Sequence, residues 1–505
     1  MKPYFAFQWH ITDECDQRCR HCYIFSEDNQ ICLKQMRYEE METVLSSCMD
    51  LCERLGRTPY FYITGGDPIL HKDFWRLCGL LEKNHITFGI LGNPFHLTDD
   101  VCKRLYAYGC RKYQLSLDGM RETHDRFRKP GSFDITVEKI DCIRKAGMYC
   151  AVMSTVSCAN KDEFPELIDL VVDKNVDVFA FGRYCPTSEQ KAEDYHIPPL
   201  EYRAFLEKCW EKYEQYKDRH TTFQLKDHLW TLFLYEKGIF KIPENADKKM
   251  IYDGCHCAIS HMTILPTGDV YACRRMESKI GNVFDTSMYD LFMSASMEKY
   301  RDFDRFEKCS MCELRGFCRG CPAVTYGYTG NMYAPDPQCW KIIEAGLYAP
   351  NAGGGQRARI IAVHNRALTA QIGRLNLARF DRSRLAGGYV SAKQPSNIDD
   401  PTIKNGFYGA PAVCIIFGAR NFLYSIPDAF CCAENMVLEA AHPGIASCIV
   451  ARGEETFDNA AGAALLKKWG IPDTETARCF VILGYCDGRY PQVKPRKEDR
   501  FMIID

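Results

Sequence analysis

The 505-residue chain lacks three features that would place it at once in a broad class of protein. It has no excess of either charge, because 64 lysines and arginines nearly balance 66 aspartates and glutamates. That balance gives no electrostatic argument for binding nucleic acid or an anionic membrane surface. No apolar run approaches the roughly 18 residues that a membrane-spanning helix needs. The start, MKPYFAFQWHITDE, lacks the basic region and apolar core of a signal peptide, so we expect a cytoplasmic protein.

Cysteine is what the chain has in excess, with 28 residues. In a short secreted protein this number would indicate disulfides, but the chain is long and has no export signal. Metal sites are therefore the better interpretation. The length itself favours two or three domains with an ample core.

Three of the cysteines follow one another closely near the N-terminus, as Cys15, Cys19 and Cys22. Thiolates are soft ligands that suit iron–sulfur clusters or zinc, and a structural zinc site needs a fourth ligand nearby. None is evident, because the nearest histidines are His10 and His21, and His21 lies inside the turn from Cys19 to Cys22. The spacing favours a four-iron cluster with three irons held by the protein and the fourth left open.

Around this motif, short apolar runs typical of strands alternate with amphipathic stretches typical of helices. The first such helix places Met41, Val44, Leu45 and Cys48 at helical spacing. Such alternation predicts parallel strands joined by right-handed helical crossovers. The six predicted strands cover residues 5–9, 60–63, 87–91, 113–117, 151–156 and 176–181.

The cysteine triad resembles that of the radical S-adenosylmethionine (SAM) superfamily, in which an aromatic residue, here His21, precedes the third cysteine. The resemblance implies that the open iron chelates the amino and carboxylate groups of SAM. An electron from the cluster held by Cys15, Cys19 and Cys22 then cleaves the sulfonium to a 5′-deoxyadenosyl radical. An external electron donor, a flavodoxin or a ferredoxin, is implied as well. The implied fold is α/β, a partial (β/α)6 barrel over residues 1–235 with its active site at the C-terminal ends of the strands.

Two later strand ends resemble the SAM-binding motifs of the same superfamily. Gly65, Gly66 and Asp67 resemble the Gly-Gly-Glu motif that contacts the SAM amino group, with Asp67 one methylene shorter than the usual Glu. Glycines let a backbone approach a ligand closely. Ser116 and the later Arg128 resemble the region that binds the SAM ribose and carboxylate, and an arginine fork suits a carboxylate. Each motif alone is no more than a turn or a strand end, and it is their order after the cysteine triad that makes the resemblance specific.

A second group of cysteines occupies residues 255–339. Its Cys-x-x-Cys pairs alone could equally hold zinc. The whole array resembles the SPASM extension of radical SAM enzymes, predicted here over residues 236–340, which carries two auxiliary four-iron clusters and brings the total to three. The resemblance assigns the first cluster to Cys255, Cys257, Cys273 and Cys321 and the second to Cys309, Cys312, Cys318 and Cys339. Because Cys255 lies only two residues before Cys257, an open or differently liganded first cluster stays an alternative.

After Cys339 the sequence resembles the nitroreductase fold, an α+β domain predicted over residues 341–505. The segments that carry this resemblance are 344–356, 409–411, 433–441, 444–448 and 481–485. It implies FMN, contacted by Gln356, Ser447 and Arg496, with Arg496 on the phosphate, and a homodimer through this domain. The family's Arg-rich first segment is missing, and Asn351 and Gly354 stand where Ser and Asn are usual. A dimerisation or substrate-docking module without flavin is therefore the alternative.

The resemblance to SPASM-bearing enzymes implies that the substrate is a ribosomally made peptide or protein, modified by a crosslink, a thioether or a side-chain oxidation. Anaerobic sulfatase maturases place an Asp general base just after the cysteine that matches Cys273, where this chain has Arg274. Arginine accepts no proton at neutral pH, so formylglycine formation is an alternative and not the expectation. An electron-transfer reductase that uses iron–sulfur clusters and a flavin is the alternative from another class.

Overall fold

A computed structural model describes residues 2–25, 33–186, 195–247, 250–363, 365–379, 402–441 and 445–484, with the backbone alone for residues 342–344. The chain divides into two compact units, Met1–Trp340 and Lys341–Asp505, and each is described by itself.

The first unit is built on a parallel sheet. Its first strands are β1 (Tyr4–Thr12), β2 (Thr58–Gly65), β3 (Phe88–Leu91), β4 (Cys110–Ser116), β5 (Tyr149–Val156) and β6 (Val178–Arg183). Each overlaps one of the six strands predicted from the sequence, and neighbours in the chain are parallel neighbours in the sheet. The predicted α/β class is confirmed.

Helices alternate with these strands along the chain. They are α1 (Tyr38–Arg54), α2 (Phe74–Lys83), α3 (Asp99–Ala107), α4 (Arg121–Phe127), α5 (Ser132–Lys145), α6 (Phe164–Asp173), α7 (Pro199–Gln215) and α8 (Leu229–Glu236). In α1, Met41, Val44 and Cys48 are buried on one face. Glu39 and Glu40 occupy its first turn, where the helix dipole favours acidic side chains.

The sheet continues past the six predicted strands at both edges. β7 (Thr222–Gln224) pairs parallel with β6. On the other side β8 (His261–Ile264) pairs parallel with β1, and the antiparallel β9 (Asp269–Tyr271) and β10 (Lys279–Asn282) follow. The cysteine-rich segment therefore adds strands to one ten-stranded sheet. The boundary predicted between residues 235 and 236 stays a prediction.

Short elements make up the rest of the cysteine-rich segment. They are α9 (Met288–Phe292), α10 (Ala295–Glu298), α11 (Pro322–Thr329) and the 3-10 turns Phe303–Arg305 and Cys309–Met311. α11 starts directly after Cys321 with Pro322, whose fixed φ suits the first turn of a helix. It ends at Gly330, which adopts the left-handed conformation that favours glycine.

The core of the first unit lies against the strands of the sheet. Phe5, Phe7, Phe61, Phe88 and Leu115 are completely buried, and the Phe7 and Phe61 rings stack with their centroids 5.2 Å apart. Strands of a parallel sheet are covered on both faces and so appear in a sequence as continuous apolar runs. This is why the six central strands could be predicted.

The second unit contains an antiparallel sheet and helices. Its strands are β11 (Arg359–Val363), β12 (Ala412–Ala419), β13 (Ala446–Val450) and β14 (Glu475–Gly484), in the sheet order β11–β12–β14–β13. Its helices are α12 (Lys341–Leu347), α13 (Arg366–Ala378), α14 (Ser425–Ala441), α15 (Gly453–Phe457) and α16 (Ala460–Lys468). β11 and β12 contain the apolar runs of the sequence at residues 360–363 and 413–417. Of the helices in the part of the chain described, none combines the length and apolarity that crossing a bilayer requires.

Candidate active site

The three N-terminal cysteines lie in the loop that follows β1, at the C-terminal edge of the parallel sheet. Two backbone amides point at their sulfurs, since the amide of Gln17 donates to Cys15 Sγ and that of Ile24 to Cys22 Sγ, each at 3.4 Å. Hydrogen bonds of this kind stabilise cluster-bound sulfur and tune its cluster. The loop is therefore arranged for thiolates.

Burial makes two of these sulfurs hard to ionise on their own. It raises the pKa of Cys15 to about 12 and that of Cys19 to about 11. A thiolate forms in such surroundings only beside a compensating positive charge, such as that of a metal ion. Three closely spaced thiols with amide donors fit three corners of a four-iron cluster.

The end of β2 packs directly on this cysteine loop. The amides of Gly66 and Asp67 donate to the carbonyl oxygens of Thr12 and Glu14, at 2.8 and 2.6 Å. A Cβ on Gly65 would lie 2.0 Å from the Thr12 oxygen, and one on Gly66 would lie 1.9 Å from the Glu14 oxygen. The glycines thus let β2 approach protein backbone, where the sequence suggested the approach of a ligand. Their contact with SAM stays a prediction.

Asp67, the predicted partner of the SAM amino group, has surroundings that suit a hydrogen-bond donor. Its side chain is fully buried, and the amides of Ile69 and Asn93 approach it without giving either oxygen a hydrogen bond of good geometry. Asp16 and His96 each bring a side-chain atom within 4.8 Å of its carboxylate. Burial, and then the charge of Asp16, raise the pKa of Asp67 to about 7. A buried acceptor without a donor is costly, and a donor from a ligand would remove that cost.

Asn93, Asp16 and His96 form a polar group that the sequence reasoning missed. Asn93 Nδ2 donates to Asp16 Oδ1 at 2.6 Å and lies 3.9 Å from Cys15 Sγ. His96 Nε2 lies 3.2 Å from Asp16 Oδ2. The position of Asn93 in the sequence, two residues after β3, could have indicated a site residue. The C-terminal ends of parallel strands carry the active sites of related barrels.

Arg128 is bound to Asp118, whereas the sequence suggested an arginine for the SAM carboxylate. Its Nε donates to Asp118 Oδ2 at 2.6 Å, and its Nη1 lies 3.8 Å from Cys19 Sγ. His21 Nε2 lies 3.4 Å from the same Asp118 oxygen. Burial opposes the charge of Asp118, but Arg128 and then His21 lower its pKa to about 2. Ser116, the other predicted contact, is the last residue of β4, and the SAM contacts of both residues stay predictions.

Positively charged side chains gather near the same edge of the sheet. The guanidinium of Arg274 lies over the Tyr23 ring, 4.9 Å from its centroid, and Arg275 donates to the carbonyl of Arg183 at the end of β6. Lys226 follows β7, and water reaches its side chain. Desolvation by the surrounding protein, and then the charge of Arg275, nevertheless lower the pKa of Lys226 to about 8. This positive field favours a substrate with an anionic group.

The four thiols predicted for the second auxiliary cluster lie together. They belong to Cys309, Cys312, Cys318 and Cys339, and Cys309 interacts electrostatically with each of the other three. The amine of Lys308, a residue that is only 5% exposed, donates to Cys339 Sγ at 3.3 Å. A buried ammonium needs an anionic partner, so this contact marks a place where thiolate charge is stabilised.

The four thiols predicted for the first auxiliary cluster lie together as well. Cys257 is in hydrogen-bond contact with both Cys255 and Cys273, and Cys273 interacts electrostatically with Cys321. A small cavity adjoins two of them, lined by Cys255, Cys257, Met276, Tyr300, Phe303, Phe306, Arg319, Pro322 and Met332. Neighbouring thiols of this number fit an iron–sulfur cluster.

Two further side chains reach this group of thiols, and the sequence reasoning assigned neither to it. His228 is hydrogen-bonded to Cys255. Burial by itself lowers the pKa of His228, but the contact with Cys255 outweighs burial and raises this pKa to about 8. Cys185 is hydrogen-bonded to Cys321 and lowers the pKa of Cys321 to about 6. Cys185 comes two residues after the end of β6, a position from which it could have been found.

Three parts of the chain match models of known families. Residues 9–171 match the radical SAM superfamily, residues 255–313 match the iron–sulfur cluster-binding domain SPASM, and residues 325–485 match the nitroreductase family. The chain therefore contains a radical SAM domain, a SPASM domain and a nitroreductase domain.

Relatives and solved structures resemble the radical SAM and SPASM part. The AdoMet-dependent heme synthase of Methanosarcina barkeri is 24% identical over 342 residues, which are 66% of this chain and 95% of the relative. Mycofactocin maturase MftC of Mycolicibacterium smegmatis is 25% identical over 352 residues, 66% of this chain and 81% of the relative. The crystal structure of Streptococcus suis SuiB bound to S-adenosylmethionine shares the fold, with a TM-score of 0.53 at 18% identity over 67% of this chain and 77% of SuiB.

In the nitroreductase domain, two of the three predicted flavin contacts are described, and they belong to segments at opposite edges of the four-stranded sheet. Gln356 lies in the loop before β11, where its amide donates to Asn351 Oδ1 at 2.8 Å. Ser447 lies on β13, at the opposite edge of the four-stranded sheet. Arg496 lies outside the described residues. The flavin site therefore stays a prediction.

Proposed function

We propose that this radical SAM enzyme cleaves SAM reductively and uses the radical to modify a ribosomally made peptide or protein. The observation that carries the proposal is the meeting of the three-cysteine loop with the buried, unpaired carboxylate of Asp67 at one edge of the parallel sheet. A peptide substrate is supported by a relative named as a maturase and by a fold neighbour, SuiB, whose structure is known bound to the precursor peptide SuiA.

The cofactors that we propose are three four-iron clusters, SAM and, in the nitroreductase domain, FMN. When bound, the N-terminal cluster supplies the electron that cleaves SAM. Cys15, Cys19 and Cys22 hold that cluster, while Asp67 accepts a hydrogen bond from the SAM amino group and so fixes its orientation. The Arg128 guanidinium beside Cys19 places positive charge next to a sulfur that carries negative charge in the cluster.

The auxiliary clusters, the partners and the location belong to the same proposal. A cation lies beside each auxiliary group, the buried Lys308 at Cys339 and the half-buried Arg275 at Cys321, and these cations offset the charge of clusters held by four thiolates. We propose a flavodoxin or ferredoxin as electron donor, a homodimer through the nitroreductase domain and a cytoplasmic location.

A porphyrin is a second candidate substrate, because one relative is named as a heme synthase. The cations Arg274, Arg275 and Lys226 suit the carboxylates of a porphyrin as well as those of an acidic peptide. The formylglycine alternative is disfavoured, since Arg274, which packs on Tyr23, cannot serve as a general base.

Comparison of the two substrates under identical conditions tests the proposal. The reconstituted enzyme is incubated without oxygen with SAM, a reductant and either any short peptide that is found encoded beside its gene or Fe-coproporphyrin III, the compound in the name of another relative. We expect 5′-deoxyadenosine together with a peptide that has lost two hydrogens for each new bond. Modification of the porphyrin with no change in any peptide would contradict the proposal. The variant with Cys15, Cys19 and Cys22 replaced by Ala is the control in both arms.

A further inference from the structure

Five thiols, and not four, surround the site predicted for the first auxiliary cluster. They belong to Cys185, Cys255, Cys257, Cys273 and Cys321. A four-iron cluster whose irons all carry a protein ligand needs four thiolates, so one of the five thiols is not needed. The question of which four bind rests on the proposed function, because that function requires the cluster.

Cys185 makes the same kinds of contact with the group as the predicted ligands make with one another. Its thiol is hydrogen-bonded to Cys321 and interacts electrostatically with Cys273. Contact of the same kind joins Cys257 to Cys255 and to Cys273. Cys185 is therefore part of this thiol group, although it lies 136 residues before Cys321 in the sequence (321 − 185).

One buried ion-pair network fixes the positions of both Cys185 and Cys321. Arg183, only 1% exposed, lies two residues before Cys185 and donates through Nη1 and Nη2 to Asp336, at 2.6 and 2.8 Å. Asp336 Oδ2 in turn accepts the backbone amide of Cys321 at 2.9 Å. Arg183 Nε also donates to Asp227 at 2.8 Å. The chain therefore holds the end of β6 and the start of α11 together, which is what a pair of ligands to one cluster requires.

A second cation, Arg275, is shared by three of the thiols. It donates to the carbonyl of Arg183 and interacts electrostatically with Cys185, Cys321 and Cys273. A cluster bound by four thiolates carries net negative charge, and a half-buried guanidinium that interacts with several of its ligands offsets that charge.

Cys255 has partners of its own on the other side of the group. Its thiol is hydrogen-bonded to His228 and to Cys257, and its carbonyl accepts Arg319 Nη2 at 3.0 Å. We propose that Cys185 binds the first auxiliary cluster together with Cys257, Cys273 and Cys321, and that Cys255 stays outside it, paired with His228.

Two single variants and a matched control test this assignment. Cys185→Ser and Cys255→Ser are compared with Cys158→Ser, since Cys158 lies two residues after β5 as Cys185 lies two residues after β6. Wild-type protein reconstituted with iron-57 should hold about twelve irons. We expect Cys185→Ser to lose between about one and four of them, with the loss seen in the auxiliary-cluster signals of the Mössbauer and electron paramagnetic resonance spectra. Cys255→Ser and Cys158→Ser should keep the full iron content and the wild-type spectra.

A measurement on the wild type guards against a variant that fails to fold. Thiols are alkylated in the reconstituted protein and again after iron is removed, and mass spectrometry reports which cysteines react in each state. We expect Cys185 to be protected by the clusters and Cys255 to react in both states. Retention of all iron and of the wild-type spectra in Cys185→Ser, with loss in Cys255→Ser, would overturn the proposal. The wild-type iron count is read separately, so a failed three-cluster model is distinguishable from a wrong fourth ligand.

Discussion

At the scale of single residues, Asp67 gives the sharpest expectation, because its buried carboxylate has no hydrogen-bond donor of its own. A hydrogen bond to a charged group contributes roughly 1.5 to 3 kcal/mol. We therefore expect Asp67→Asn to weaken SAM binding by about tenfold or more, with the iron content unchanged. Equilibrium binding of SAM to the reconstituted protein measures this. Asp50→Asn, at an exposed residue of α1 that pairs with Arg54, is the control, and an equal loss in both variants would show that Asp67 does not contact SAM.

The same carboxyl makes stability depend on pH. Its pKa is raised from 3.8 to about 7 by burial and by Asp16, so the folded protein keeps a proton that the unfolded chain has lost. The stability that this proton provides is complete below the unfolded pKa and is lost as the pH rises through about 7. Asparagine has no such proton to lose. In SAM-free protein we expect Asp67→Asn to raise the melting temperature, relative to wild type, more at pH 8 than at pH 5. A difference that is equal at both pH values would contradict the buried charge.

Arg128 shows where residue-level prediction from sequence stops. The motif drew attention to Arg128, but its ion pair with Asp118 and its approach to Cys19 join residues 10 and 109 positions away. Such contacts depend on which strand ends meet in the fold. Asn93, His228 and the contact of Cys185 with Cys321 escaped sequence reasoning for the same reason.

At the scale of the elements, glycines allow the close backbone contact between the end of β2 and the cysteine loop. We expect Gly66→Ala to displace the loop and to remove about four irons, because its Cβ would lie 1.9 Å from the Glu14 oxygen. Gly79→Ala is the matched control, since its Cβ would meet only the Tyr108 ring at 3.7 Å and alanine favours a helix. Iron content and SAM binding measure the effect. A Gly66→Ala protein with full iron content would show that the loop tolerates the shift.

Prediction of the elements from sequence succeeded where strands are long and covered on both faces. The runs that became β1 to β6 are apolar because both faces of the sheet are buried. In the first unit, the strands that were not predicted, β7 to β10, are three or four residues long. Their pairing with β6 and β1 comes from the fold and not from a local pattern.

At the scale of the whole molecule, the first compact unit contains every residue assigned to SAM cleavage. We expect a chain that ends at Trp340 to form 5′-deoxyadenosine at a rate comparable to that of the full chain. Peptide modification is expected to fail if the nitroreductase domain docks the substrate. The nitroreductase match begins at residue 325, before Cys339, so loss of cluster iron on truncation would show that the two units fold as one.

The most direct test of radical SAM chemistry in this chain is reductive cleavage of SAM combined with an iron count. Wild-type protein, reconstituted and assayed without oxygen, is compared with the variant in which Cys15, Cys19 and Cys22 are all replaced by Ala. We expect about twelve irons and 5′-deoxyadenosine from the wild type, and about eight irons and no 5′-deoxyadenosine from the variant. Equal 5′-deoxyadenosine from both proteins, or a wild-type count near four irons with zinc in the remaining cysteine groups, would contradict it.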